Sequence, residues 1–304
     1  LSVLCLDGVT LPPEFLDAIE LLVTLQEVDI TDCVFDLSID KKEAEMPTTP
    51  WTRFVFCDNH NHQPYLHRFA ALAASAHLSC MKTSDMEVAH AILSRPVNCS
   101  LEELQLPISI SDPHDWSFLR DVFTTAAKLR ILSFSTADRL PSMEDMEHHG
   151  LPRESLPRLE TLRCPVEYLA SLIAGRPVSD VEIISPARVT RLLDELGRLR
   201  HTDIYSILKK SSAPIRVLCV EIEAVFQGYI PRLTCLDTLT LYAVVPHLDF
   251  ENLSDIPLNS TVRAVHFRLV HGPGRRNKTL SMTGYDLARE STLLGTLEKA
   301  FPQA

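Results

Sequence analysis

Residues 25 to 33 read "LQEVDITDC", and Leu25, Val28 and Ile30 stand in it at the spacing LxxLxL, with Cys33 three places further on. "LSVLCL" at 1 to 6 has the same spacing in Leu1, Leu4 and Leu6, and "WTRFVFCDN" at 51 to 59 has it in Trp51, Phe54 and Phe56, with Asn59 in the place of Cys33. In an extended segment successive side chains alternate faces. The second and third apolar residues therefore point inward, and the residues between them point to the opposite side. The leading apolar residue packs into the core as the chain turns into the strand. Each stretch predicts a short strand with one buried and one open face.

The pattern continues, with apolar residues substituting freely for leucine: Leu78-Met81, Leu101-Leu104-Leu106, Leu129-Leu132-Phe134, Leu159-Leu162-Cys164, Val178-Val181-Ile183, Ile215-Leu218-Val220, Leu236-Leu239-Leu241 and Val262-Val265-Phe267. Eleven starts between residues 1 and 262 give a mean period of about 26 residues, within the leucine-rich range. Between them lie segments with helical spacing: Phe15, Leu16, Ile19, Leu22 and Val23; Phe69, Leu72, Ala73 and Ala76; Val189, Leu192, Leu193 and Leu196. One strand, turn and helix cannot bury its own apolar face, but a stack of such units makes a continuous core. The expected fold is α/β: a leucine-rich-repeat solenoid of about 11 degenerate repeats spanning 1–304 as one domain. It would form an irregular horseshoe, with parallel strands on the concave face and helices on the convex face. The competing reading is an ordinary doubly wound α/β domain. Only nine glycines occur and no GxGxxG follows a strand, so the phosphate-cradling turns common in that architecture are absent.

Composition narrows the function classes. At 304 residues and 45% hydrophobic content the chain can bury a large core. No apolar run is long enough for a spanning helix, so no membrane partner is expected. A net charge of −11 argues against nucleic acid, whose sequence-independent affinity comes from Lys and Arg displacing counterions. The eight cysteines, at 5, 33, 57, 80, 99, 164, 219 and 235, form no CxxC pair. They suit buried, reduced thiols and a cytoplasmic or nuclear setting. Secretion is the alternative, because four of the six asparagines (Asn98, Asn252, Asn259, Asn277) begin glycosylation-like triplets. The start at Leu1, without Met or a basic leader, reads as a piece of a longer protein. Stretches 36–50, 135–157 and 269–284 read as surface loops from their Pro, Ser and charge content.

No constellation points to catalysis. "HGPGRRNKT" at 271 to 279 approaches the phosphate loop GxxxxGK[ST], but Asn277 stands where the second glycine must turn backbone N–H groups onto the phosphates. "CDNHNHQPYLH" gathers Cys57, Asp58, His60, His62 and His67 without the second half of a tetrahedral metal set, and reads as a polar turn. Glu147, His148 and His149 read as solvated loop, and no GxSxG occurs. The chain is therefore read as a non-enzyme with no catalytic, cofactor or metal residue. A repeat array offers a concave surface instead. Its candidate partner-binding residues are the outward strand positions Glu27, Asp29, Arg53, Glu103, Gln105, Arg163, Glu182, Glu221, Tyr242, His266 and Arg268. The array starts acidic and mixes in base toward its end, which suits an extended target protein.

The repeats at 1–33, 101–106, 129–134 and 236–241, with the Pro-rich loop "LPRESLPRLETL", scattered Cys and low Gly, resemble the degenerate leucine-rich arrays of fungal F-box proteins, particularly the basidiomycete families. That resemblance implies the substrate receptor of an SCF-type ubiquitin ligase, in which repeats hold the target and an F-box holds the Skp adaptor and, through it, the cullin. "LPPEFLDAIELL" at 11 to 22 looks like the opening of such an F-box. An F-box continues as consecutive helices, however, whereas Leu25-Val28-Ile30 starts another strand. The stretch is better read as a repeat helix with Pro12 and Pro13 at its entrance. Any F-box would lie upstream of residue 1, and adaptor and cullin would be reached only through it. A scaffold or sensor unrelated to ubiquitination is the alternative, and an unrecognised α/β enzyme a third.

Overall fold

The alternation read in "LQEVDITDC" is present in space: Val28 and Ile30 are fully buried, while Glu27, Asp29 and Thr31 are half-exposed. In the computed structural model, residues 1–36, 49–73, 78–94, 100–107, 113–135, 151–184, 203–221, 230–245 and 261–271 are described. The helical positions at 76 and 189–196, the triplets at Asn98, Asn252, Asn259 and Asn277, the Glu147-His148-His149 run and the near phosphate loop after His271 lie outside them. Two compact units divide the chain, Leu1–Leu159 and Glu160–Ala304.

All eleven expected starts lead into a strand two residues later. In the first unit these are β1 (Val3–Asp7), β3 (Glu27–Thr31), β5 (Arg53–Cys57), β6 (Cys80–Thr83), β7 (Glu103–Pro107) and β8 (Ile131–Ser135). They pair in parallel in the order β1-β3-β5-β6-β7-β8. In the second unit β9 (Thr161–Pro165), β10 (Asp180–Ile184), β11 (Val217–Glu221), β12 (Thr238–Val245) and β13 (Ala264–His271) do the same. Within each unit each of these strands neighbours the one before it in this series, and all of these pairings are parallel. β12 and β13 run to eight residues, beyond the short strand expected.

The register is set by the apolar triplets. Leu4, Val28, Phe54, Met81, Leu104 and Leu132 form one inward row across the first unit. The leading residues Leu25, Trp51, Leu78, Leu101, Leu129, Leu159, Val178, Leu236 and Val262 are fully buried and Ile215 nearly so. Each such side chain contributes about 1.5–3 kcal/mol relative to exposure. Leu1, on the edge strand's side, is 66% exposed and is the exception. Thr83 occupies an inward place that leucine or phenylalanine holds elsewhere. It is tolerated there because its Oγ1 accepts from the Asp85 N–H at 3.0 Å.

A backbone device recurs between neighbouring strands. At the start of β3, β5, β6, β7, β8, β10, β11, β12 and β13 two consecutive N–H groups donate to a single carbonyl of the preceding repeat, for example Gln26 and Glu27 to Ser2, Thr52 and Arg53 to Gln26, Glu102 and Glu103 to Ser79, Arg216 and Val217 to Ser179, Arg263 and Ala264 to Asp237. These bonds involve no side chain, so they hold the repeat together where the sequence is degenerate.

Among the described residues the α-helices are α1 (Phe15–Glu20), α2 (Leu66–Ala73), α3 (Met86–Leu93), α4 (Pro113–Thr125), α5 (Val166–Ile173) and α6 (Ile204–Leu208). In α1 Leu16 and Ile19 are buried as their spacing requires. Pro12 lies in the turn into the helix, its carbonyl accepting from the Phe15 N–H at 3.0 Å. The helix stops at Glu20, and Val23, expected on its apolar face, is 77% exposed because the chain has already left the helical path. Asp85 caps α3, accepting from the Glu87 and Val88 N–H groups. α2 packs on α3, and α3 on β6 and β7. Beneath α2, Phe35, Phe54, Phe56 and Phe69 meet, with Phe35 edge-on to Phe69 at 5.5 Å. No helix among the described residues is long and apolar enough to cross a membrane.

Two short strands that the sequence reading does not anticipate, β2 (Thr10–Leu11) and β4 (Val34–Phe35), pair in parallel beyond the ends of β1 and β3, and His60 continues their ladder. Turning into them takes a left-handed residue at each of the first three repeats: Gly8 (φ 65), Asp32 (φ 53) and Asp58 (φ 55). Aspartate tolerates this region better than most residues.

Candidate functional site

The strand residues between the inward positions form the open face of each sheet. Parallel pairing aligns them in rows, with neighbours about 4.8 Å apart. In the first unit one row runs Glu27, Arg53, Cys80, Glu103 and another Asp29, Val55, Lys82, Gln105. In the second unit one row runs Arg163, Glu182, Cys219, Thr240, His266, and Tyr242 pairs with both Glu221 and Arg268. All eleven residues expected outward lie on these rows.

They are not equally available. Glu27, Asp29, Arg53, Glu103, Gln105, Arg163 and Glu182 are half-exposed, and His266 and Arg268 are exposed. Glu221 and Tyr242 are buried, at 6% and 8% exposure. The Tyr242 hydroxyl reaches across β11 to donate to the Ile183 carbonyl at 2.6 Å. The sequence could not show this, because outward direction and exposure part where a large ring lies down on its neighbours.

Across β5, β6 and β7 the charges are joined. Arg53 Nη1 donates to Cys80 Sγ at 3.2 Å, Cys80 Sγ donates to Glu103 Oε2 at 3.4 Å, and Lys82 Nζ lies 2.5 Å from Glu103 Oε1. Burial works to raise the Glu103 carboxyl, but the hydrogen bonds from Lys82 and Cys80 and the charges of Lys82 and Arg53 hold it below its ordinary value. The Cys80 thiol is pushed up to about 12 by burial and then by Glu103. On the second unit Arg163 Nε lies 3.4 Å from Glu182 Oε1. Burial, then the Glu182 charge, pushes the Cys219 thiol to about 12, and the same two causes raise the Asp180 carboxyl. Thiols held this far up are weak nucleophiles. The face presents fixed charges and neutral thiols, suited to complementing another surface.

Cys80 and Lys82 also lie on the open face of the first unit, and Asp180 and Cys219 on that of the second, where no motif in the sequence singles them out. The signal was there, since each stands directly beside an inward apolar residue. The β6 unit carries only Leu78 and Met81 of its triplet, which obscured Lys82.

The cluster in "CDNHNHQPYLH" is drawn into structure. His62 is 6% exposed, with Nε2 2.8 Å from Asp85 Oδ2, Nδ1 3.2 Å from the Asn59 carbonyl, and its ring edge-on to Phe56. The His62 hydrogen bond is the main cause holding the Asp85 carboxyl below its ordinary value. Asn59 acts in the turn: its Nδ2 donates to the Ile30 carbonyl at 2.8 Å and its Oδ1 accepts from the Cys33 N–H at 2.9 Å. Cys33 Sγ in turn donates to the carbonyls of Thr31 and Leu6. Among the described residues no group of three or more His, Cys, Asp or Glu is placed to hold a metal ion.

No family model matches the chain, and no curated protein matches it.

Proposed function

We propose that the chain is a leucine-rich-repeat solenoid whose open sheet face, the concave side of an irregular horseshoe, holds an extended target protein. The observation that carries this reading is the open face itself. Consecutive parallel strands bring Glu27, Asp29, Arg53, Glu103 and Gln105 into register on the first unit, and Arg163, Glu182, His266 and Arg268 on the second. Rows of this kind give a partner many modest contacts, in which charge sets specificity and on-rate more than affinity. The turn bonds of Cys33 and Asn59 support the repeat assignment, since they satisfy backbone groups between neighbouring repeats.

We further propose, on the resemblance to fungal F-box proteins, that the bound target is presented to an SCF-type ubiquitin ligase. The chain then contributes proximity and no covalent chemistry. The paired variants Arg53→Glu with Glu27→Lys, and Arg163→Glu with Arg268→Glu, should each lose bound proteins that the parent chain captures from cell extract, while Lys128→Glu, away from the open face, retains them. Equal capture by all variants would remove the face from the reading. Co-purification of the full-length protein with the Skp adaptor tests the ligase part separately. Failure there with target binding intact leaves a scaffold.

A further inference from the structure

The second unit carries a cleft of about 270 Å³ away from the open face, where the chain leaves α6 and turns into β11 and β12. Its floor is apolar: Leu208 at the end of α6, Ile215 before β11 and Leu233 before β12 are all buried. Its rim is cationic. Lys209 and Arg232 are exposed there, and the lining contains no carboxylate, in a chain with 40 acidic residues against 29 basic. The Arg232 guanidinium lies 5.4 Å over the centroid of the Tyr205 ring. Stacking of this kind restrains a guanidinium while leaving its N–H edge free to grip a carboxylate in bidentate fashion. The field of Asp203 reaches Arg232, but that carboxylate is held by the Ser206 N–H at 3.1 Å and the Ser206 hydroxyl at 2.5 Å.

We propose that this cleft is a docking site for an acidic peptide segment that carries an apolar residue beside its carboxylates. An apolar floor under two cations selects a ligand with both features: a free inorganic anion leaves the floor empty, and an apolar ligand leaves the cations unused. The volume lies below that of ordinary cofactor pockets, about 300–1,000 Å³, and suits one large side chain with its flanking backbone. The site is independent of the open face, because its residues lie in the segments leading into the strands.

Cys235, exposed and part of the lining, supplies the reporter. Alkylation of the whole chain by iodoacetamide is followed peptide by peptide, in the presence of the capped tripeptides EFE, KFK and EGE. EFE at millimolar concentration should slow labelling of Cys235 several-fold while leaving that of exposed Cys5 unchanged, and added salt should weaken the protection. KFK and EGE should protect little. Arg232→Glu and, separately, Lys209→Glu, each checked for native circular dichroism, should abolish the EFE effect; Arg268→Glu on the open face should retain it. Absence of protection by EFE, equal protection by KFK, or protection that persists in a folded Arg232→Glu or Lys209→Glu chain would overturn the proposal.

Discussion

Single side chains settle the turns that the repeats leave open. Asn59 answers two backbone groups of the preceding repeat at once, the Cys33 N–H and the Ile30 carbonyl. Asn59→Ala leaves both without that partner, and a cost of about 1–3 kcal/mol is expected, read as a lower urea midpoint at unchanged slope. Gly8 offers the contrasting case. It shares its left-handed backbone with Asp32 and Asp58, and a Cβ there would meet nothing within 4 Å. Gly8→Asn should therefore cost no more than about 1 kcal/mol, since only the conformational preference is lost. Asn59 was legible, because it recurs at the place of Cys33. The His62–Asp85 contact was not, because its partners lie in successive repeats and no spacing rule joins them.

At the scale of elements, stability follows the number of neighbours a strand has. Leu104, on β7 between β6 and β8, is fully buried, whereas Leu4, at the equivalent position of β1, is only half-buried because β1 pairs on one side. Leu104→Ala should destabilise by about 2–5 kcal/mol, the range for a buried leucine that leaves a cavity, and Leu4→Ala by distinctly less. Thermal unfolding of the two variants side by side makes the comparison, and equal losses would contradict the edge position of β1. The strands were legible because period-two burial is written into LxxLxL. The short ladder of β2 and β4 was not, since two-residue strands carry too little pattern to rise above turn sequence.

Over the whole molecule, carboxylates with opposite shifts shape the response to acid. Asp85 is held low, first by its hydrogen bond to His62, so it contributes stability above the ordinary aspartate value of 3.8 that is lost as pH falls through its lower folded value. Asp180 is pushed up by burial and by Glu182. Its protonated form is therefore favoured on folding, and it withdraws stability as pH rises from 3.8 through its raised folded value. Asp85→Asn should lower stability at neutral pH and flatten the acid limb of an unfolding curve. Asp180→Asn should raise stability at neutral pH, and the two responses should differ in sign in urea titrations between pH 3 and 7.

The sequence by itself determined the eleven strands, the residues each turns inward and the residues each turns outward, because alternation along an extended chain needs nothing beyond the local order of apolar and polar side chains. The parallel stacking of each strand on its predecessor was expected with them, and only the tertiary structure showed the paired N–H groups that share a carbonyl of the repeat before. It also decided that Tyr242 and Glu221 are buried although they point outward, and that Lys209 and Arg232 line one cleft with an apolar floor. These outcomes depend on contacts between segments 20 to 60 residues apart, and on backbone groups that every residue carries alike, so no letter in the chain marks them.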